Sequence, residues 1–138
     1  MDNYFLDTSF ILALILDNDS NYYKALKHKN ILHEKCYINH NVLNEVLTLI
    51  GRKVNVETAK EVYYTLIDNF ILLNEYNIPN YNNKTFAIFE KYCGKKSNKT
   101  KLSFTDSSIL VTMEEFDINN LVSFDEEFKR VNNIELIN

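Results

Sequence analysis

The stretch that decides the fold is residues 3–16, Asn-Tyr-Phe-Leu-Asp-Thr-Ser-Phe-Ile-Leu-Ala-Leu-Ile-Leu. Its first four residues include the aromatic and apolar types that strands favour, and they predict a buried strand over 3–6. Asp7 follows directly, and the apolar run after it predicts a helix over 8–16. Asp7 is therefore expected at the point where the first strand ends.

The same alternation of short β-rich runs with longer helical patterns continues along the whole chain. Further strands are predicted at 36–38, 71–73, 120–123 and 134–137, and further helices at 20–31, 39–53, 56–69, 80–92 and 104–116. Residues 124–128 are interpreted as a turn or a short helix. Strands that alternate with helices predict a parallel sheet covered on both faces. Ligands bind such sheets beyond the carboxyl ends of the strands.

Length and composition exclude several classes of protein. A chain of 138 residues favours one domain, spanning 1–138. The longest apolar run, 10–16, is far shorter than the ~20 residues of a membrane span. The N-terminus lacks the basic stretch of a secretory signal, and two cysteines form no disulfide framework, so we expect a cytoplasmic protein with no membrane association. The net charge, 15 − 19 = −4, argues against broad non-specific binding to nucleic acid, but not against a local basic patch.

Four carboxylates occupy positions that are typical of an ion-binding site. Asp7 follows the first strand, and Asp125 lies three residues after Val122, just past the fourth strand. Two others are predicted on apolar helix faces, because residues three and four apart are neighbours on a helix. These faces are Val42, Glu45, Val46 and Leu49 in one helix, and Asp106, Ile109, Leu110 and Met113 in another.

Each of these carboxylates also has an ordinary structural explanation. Asp7 could cap the first helix, and Glu45 could pair with a lysine from elsewhere. One capping box could begin at Ser103, with Asp106 as its acid. Another could begin at Ser123, with Asp125 as an ordinary acid of the first turn. Separate explanations would need a partner for each acid, whereas one divalent-cation site satisfies all four. Oxygen-only ligands suit Mg²⁺ or Mn²⁺, and no histidine or cysteine spacing supports zinc.

At these residues the sequence resembles the PIN-domain family, and within it the small toxin ribonucleases of VapC type. The segments that carry the resemblance are Phe5-Leu6-Asp7-Thr8-Ser9, Val42-Leu43-Asn44-Glu45-Val46, Leu102-Ser103-Phe104-Thr105-Asp106-Ser107 and Leu121-Val122-Ser123-Phe124-Asp125-Glu126-Glu127-Phe128. The resemblance implies an α/β fold, a three-layer α/β/α PIN-like domain with a mainly parallel sheet of about five strands. It also implies an Mg²⁺- or Mn²⁺-dependent endoribonuclease that hydrolyses RNA phosphodiester bonds, a cognate antitoxin protein, and a homodimer.

The family's acidic quartet, which binds the metal and carries catalysis, falls on Asp7, Glu45, Asp106 and Asp125. The hydroxyls of Thr8 or Ser9 and of Ser123 would orient these carboxylates by hydrogen bonding. The competing interpretation is a catalytically silent PIN-like module that binds RNA or protein. A phosphatase of the dehalogenase type is not favoured, because it would need an Asp-x-Asp pair where this chain has Ser9.

A basic stretch, 91–101, precedes Asp106 and contains no acid. It is interpreted either as a solvated loop or as an edge that positions RNA phosphates. The candidate RNA contacts are Lys95, Lys96, Lys99, Lys101 and Arg52. A second, more diffuse basic region comprises Lys24, Lys27, Lys29 and Lys35.

Overall fold

The computed structural model describes residues 2–94 and 100–138 of the chain. Its strands are β1 (Asn3–Leu6), β2 (Lys35–Asn39), β3 (Ile71–Leu73), β4 (Asn120–Val122) and β5 (Glu135–Ile137). Its helices are α1 (Thr8–Ile15), α2 (Tyr22–Lys27), α3 (His40–Lys53), α4 (Val56–Asn69), α5 (Tyr81–Cys93) and α6 (Phe104–Glu115). Short 3₁₀ turns occupy Lys29–His33, Glu75–Asn77 and Glu126–Arg130.

The five strands form one parallel sheet in the order β3-β2-β1-β4-β5. The chain first moves outward from β1 through β2 to β3, and then returns to place β4 on the other side of β1. The strand order therefore reverses between β1 and β4. In open parallel sheets, ligands bind at the carboxyl edge where such a reversal occurs. This edge is where the residues that follow β1 and β4 meet.

Helices cover both faces of the sheet, which gives a three-layer α/β/α fold. Because crossovers in parallel sheets are right-handed, this strand order puts the helices between β1 and β3 on one face and α5 and α6 on the other. In keeping with this, α3 packs against α1 and α4, and α5 packs against α6. The core is continuous through the sheet, with Phe5, Leu6, Ile38 and Leu121 fully buried. No helix among residues 2–94 and 100–138 is long and apolar enough to cross a membrane.

Side chains at the helix starts explain where several helices begin. The Asn39 side chain accepts a 3.0 Å hydrogen bond from the Val42 N–H at the start of α3, and Asn55 caps α4 through the Thr58 N–H at 2.7 Å. Such caps satisfy backbone donors that the first helical turn leaves without partners. Because α3 is capped directly after β2, its first turns lie at the carboxyl edge of the sheet.

The predicted alternation of strands and helices is confirmed, with one clear difference. The helix predicted over 20–31 is split into the short helix α2 and the 3₁₀ turn Lys29–His33. At the break, the His28 N–H bonds to the Ala25 carbonyl three residues back, which tightens the chain. Sequence periodicity does not distinguish an α-helical turn from a 3₁₀ turn.

Candidate active site

Asp7 lies at the centre of the carboxyl edge. It is buried directly after β1, and its backbone N–H bonds to the Val122 carbonyl of β4 at 3.0 Å. It occupies the N-cap position of α1, yet its side chain makes no capping hydrogen bond. The carboxylate accepts instead from two hydroxyls, Ser9 Oγ at 2.9 Å and Ser123 Oγ at 2.7 Å.

Both hydroxyl bonds to Asp7 end on the same oxygen, Oδ2. Each hydroxyl is itself held by a backbone donor, since the Phe124 N–H bonds to Ser9 Oγ at 3.0 Å and the Asp125 N–H to Ser123 Oγ at 3.1 Å. Two series of hydrogen bonds therefore connect backbone N–H groups of the loop after β4 to one oxygen of Asp7. Neither hydroxyl bonds to the other oxygen, Oδ1. Of the two adjacent candidate hydroxyls, those of Thr8 and Ser9, it is the Ser9 hydroxyl that bonds to the carboxylate.

Burial raises the pKa of Asp7 above its usual range. The bonds from Ser123 and Ser9, and the backbone N–H of Thr8, act in the opposite direction, while the nearby charge of Glu45 raises the pKa further. The site thus holds a carboxylate whose ionised form is costly unless a positive charge is near.

Asp106 is half-buried at the third position of α6. It forms a capping box with Ser103, whose hydroxyl accepts from the Asp106 N–H at 2.9 Å while the Asp106 carboxylate accepts from the Ser103 N–H at 3.0 Å. The local explanation proposed from the sequence is therefore confirmed. Burial nevertheless raises the pKa of Asp106 to about 6, with further increases from the charges of Asp7 and Asp125. Asp106 thus lies within electrostatic range of both strand-end acids.

The raised pKa of Asp106 predicts a pH-dependent stability of the metal-free protein. The pKa of Asp106 is about 6 in the folded protein and 3.8 ordinarily, so the folded protein holds this proton more tightly than the unfolded chain does. The resulting stabilisation of the folded protein is fully present below pH 3.8. It is lost as the pH rises through about 6. Thermal unfolding in EDTA should therefore show the wild type losing stability, relative to Asp106→Asn, between these two values. Curves that run parallel across this interval would contradict the prediction.

The two remaining carboxylates border the same edge from different elements. Asp125 is half-buried and caps the 3₁₀ turn Glu126–Arg130, since its Oδ1 accepts from the Glu127 N–H at 3.0 Å. Glu45 lies on α3, close enough for its charge to raise the pKa of Asp7. Together with the coupling of Asp106 to Asp7 and Asp125, this joins all four acids into one group.

The prediction that Glu45 lies inside an apolar stripe is wrong. Glu45 is exposed, although Val42 and Val46 beside it are fully buried and Leu49 is half-buried. The buried face of α3 also includes Leu43 and Ile50, so it is centred further round the helix than the sequence pattern indicated. Glu45 therefore stands at the border of that face, where it needs no basic partner.

The acids share one edge, but their oxygens do not converge. Within residues 2–94 and 100–138, no three His, Cys, Asp or Glu side chains are arranged closely enough to hold a metal ion. The physical reason is that Asp106 and Asp125 are each turned onto a backbone N–H of their own turn. The donor set itself fits Mg²⁺ or Mn²⁺, because it consists of carboxylate oxygens alone.

The structure describes two of the five candidate RNA contacts, Lys101 and Arg52. Lys95, Lys96 and Lys99 lie outside the described residues. Lys101 is exposed, and its backbone N–H bonds to Glu127 at 3.1 Å, which places it beside the turn that follows Asp125. Arg52 is exposed seven residues beyond Glu45, or about 10 Å further along α3 and away from the edge.

Glu75 is a buried acid at this edge that sequence reasoning missed. Its carboxylate is fully buried and accepts from the backbone N–H groups of His40 at 2.8 Å and Asn41 at 2.9 Å. It thereby caps, from another part of the chain, the helix that carries Glu45. Glu75 lies two residues past β3, so the rule that identified Asp7 and Asp125 applied to it as well. Each of its two oxygens accepts one of these backbone hydrogen bonds, so its role in this structure is to cap α3.

Replacing Glu75 should destabilise the protein. Glu75→Ala leaves two backbone donors without their acceptor and opens a cavity, so the free energy of unfolding should fall by about 2–4 kcal/mol. Urea denaturation measures the change. The matched control is Glu61→Ala, an exposed glutamate on α4, which should change stability by less than about 0.5 kcal/mol. Equal effects of the two substitutions would refute the capping role.

A family model identifies the family of this chain, and solved structures show the same fold. The PIN domain model matches residues 4–134. The structure is similar to VapC20 of Mycobacterium tuberculosis, a Sarcin-Ricin loop cleaving toxin, with 21% identity, a TM-score of 0.74, and coverage of 96% of this chain and 97% of that one. It is also similar to VapBC2 from Rickettsia felis bound to a promoter DNA fragment, with 17% identity, a TM-score of 0.73, and coverage of 99% and 98%. No curated protein matches the sequence.

Proposed function

This chain belongs to the PIN domain family, and from that premise we propose that it is a divalent-cation-dependent endoribonuclease, the toxin of a toxin–antitoxin pair. The observation that carries the proposal is the carboxylate edge at the strand reversal. There, buried Asp7 is held through one oxygen by two hydroxyls and is electrostatically coupled to other acids. Likeness to a toxin that cleaves the Sarcin-Ricin loop supports RNA as the class of substrate.

We assign the catalytic and metal-binding role to Asp7, Glu45, Asp106 and Asp125, which would hold Mg²⁺ or Mn²⁺. When bound, such an ion supplies charge neutralisation, polarisation of a phosphoryl oxygen and a lowered pKa of bound water. Ser9 and Ser123 occupy Oδ2 of Asp7 and so direct Oδ1 toward the ion. Asp106 would contribute an oxygen in its ionised form, which prevails above its pKa of about 6, and its side chain would have to turn from its present orientation on the Ser103 N–H.

The proposed reaction is attack of water on an RNA phosphodiester, which leaves 5′-phosphate and 3′-hydroxyl ends by family resemblance. The four carboxylates repel the substrate phosphate until a cation reverses the local charge, so the edge alone is inert. The family also implies a homodimer and a cognate antitoxin. The antitoxin is supported by likeness to VapBC2. We further propose that 1–138 is a single PIN-like domain and that the protein acts in the cytoplasm.

The experiment that tests this function is sequencing of cellular RNA ends after controlled expression of the wild type or Asp7→Asn. The wild type should create new 5′-phosphate ends at recurrent positions, and the variant should create none. Identical sets of ends from both proteins would contradict the proposal and favour a catalytically silent binding module.

A further inference from the structure

Lys24 on α2 lies beside the carboxylate edge, although it is distant in sequence from all four acids. Its Nζ is 5.4 Å from the centroid of the Phe124 ring. A lysine ammonium at this distance from an aromatic face is attracted by the negative charge above the ring. Phe124 stands between Ser123 and Asp125, so this contact places a cation next to the loop that follows β4.

The ring beneath Lys24 is itself tied to the site. The Phe124 N–H bonds to Ser9 Oγ at 3.0 Å, and Ser9 in turn bonds to Asp7. The Phe124 ring also packs 5.9 Å from the ring of fully buried Phe10. The position of Lys24 therefore depends on the same loop that orients Asp7.

The ammonium of Lys24 retains its hydrogen-bonding capacity. Lys24 is exposed, and in the described part of the chain the salt bridges join Lys84 to Glu115 and Lys129 to Glu126, so none uses Lys24. A flexible ammonium of this kind is a suitable point contact for a phosphate oxygen. In a chain of net charge −4, local cations are needed to hold a polyanion near four carboxylates.

We propose that Lys24, held over the Phe124 ring, binds a backbone phosphate of the RNA strand next to the one that reaches the carboxylates. This inference rests on the proposed function and adds a substrate-positioning residue to it. A contact of this kind fixes the register of the strand without reading its sequence. Lys24 should therefore affect binding of the substrate and its salt dependence, with little effect on the chemical step.

The binding test uses a short fluorescein-labelled single-stranded RNA of mixed sequence and fluorescence anisotropy over a range of KCl concentrations. Measurement in the Asp7→Asn protein keeps the RNA intact. Adding Lys24→Gln should weaken binding several-fold at low salt and reduce the slope of log K against log [KCl] by about 0.7, the value for one phosphate contact with a single strand. The matched control is Lys60→Gln, an exposed lysine on α4, which should leave both quantities unchanged.

Two further measurements separate positioning from a structural role. In the otherwise wild-type protein, Lys24→Gln should raise KM several-fold, with kcat and the unfolding temperature nearly unchanged. Phe124→Leu removes the ring face, so it should cause part of the same rise in KM. Adding Lys24→Gln to Phe124→Leu should then raise KM by a smaller factor than Lys24→Gln does in the wild type.

The outcomes distinguish this inference from the proposed function. Equal KM values and equal salt slopes for Lys24→Gln and Lys60→Gln, with wild-type cleavage intact, would overturn the role of Lys24 alone. Absence of cation-dependent cleavage by the wild type would overturn the function and this inference together.

Discussion

Asp7→Asn should fold normally and lose RNA cleavage. The two hydroxyl bonds to Asp7 end on one oxygen, so the single amide oxygen of asparagine can keep both. The amide nitrogen then replaces Oδ1, which removes both a negative charge and a ligand oxygen. Loss of such a ligand should lower the cleavage rate by roughly 10³-fold or more, or about 4 kcal/mol in activation free energy.

The same substitution should not lower stability. Burial and the charge of Glu45 raise the pKa of Asp7, so the ionised side chain is unfavourable in the folded protein. A neutral isostere should therefore unfold at the wild-type temperature or above it at neutral pH, measured in EDTA.

A carboxylate at the opposite end of β1 supplies the control for Asp7→Asn. Asp2 is exposed just before the strand begins, at the amino edge of the sheet. Asp2→Asn makes the same chemical change away from the site and should cleave RNA at the wild-type rate. More than a tenth of wild-type, cation-dependent cleavage by purified Asp7→Asn would remove Asp7 from the catalytic group.

The strands and the strand-end acids were predictable because both are local features of the sequence. A short run of β-forming residues next to a helical period is recognisable without tertiary information. An acid directly after such a run must lie at the carboxyl edge once the sheet is parallel. This holds for Asp7 and Asp125, and it would have held for Glu75 had the rule been applied to every strand.

The exposure of Glu45 was not predictable from the pattern that was used. At about 100° per residue, the buried positions Val42, Leu43, Val46 and Ile50 centre on a direction about 115° away from Glu45. The stripe chosen from the sequence left out Leu43 and Ile50, so its centre was displaced toward Glu45. Helical spacing identifies neighbours, but only packing against the sheet decides which of them is buried.

The direction of each carboxylate also depends on contacts that join distant parts of the chain. The capping box of Asp106 is readable from Ser103-x-x-Asp106, because its partners are three residues apart. The bond from Ser123 to Asp7 spans 116 residues and needs the folded sheet. The sequence therefore predicts which acids share the edge, while their orientations follow from the structure.

Removal of divalent ions should abolish cleavage, and addition of Mg²⁺ or Mn²⁺ should restore it. Each of the four acids lies within electrostatic range of another, and the pKa values of Asp7 and Asp106 are both raised. A bound cation at this edge would therefore stabilise the ionised carboxylates. Binding to the folded protein alone also stabilises it, by about 2.7 kcal/mol when the free ion is at 100 times its Kd. Mn²⁺ should therefore raise the unfolding temperature of the wild type, while EDTA should lower the cleavage rate by roughly 10³-fold or more.

The ion-dependent shift in unfolding temperature identifies the residues involved without relying on activity. It should disappear in Asp7→Asn and Asp106→Asn and persist in Asp2→Asn. It should also weaken below pH 6, because protons then compete with the ion for Asp106, whose pKa is about 6. A wild type that shows neither a Mn²⁺ shift nor cleavage would be a binding module, whereas cleavage that continues in EDTA would place the chemistry on other residues.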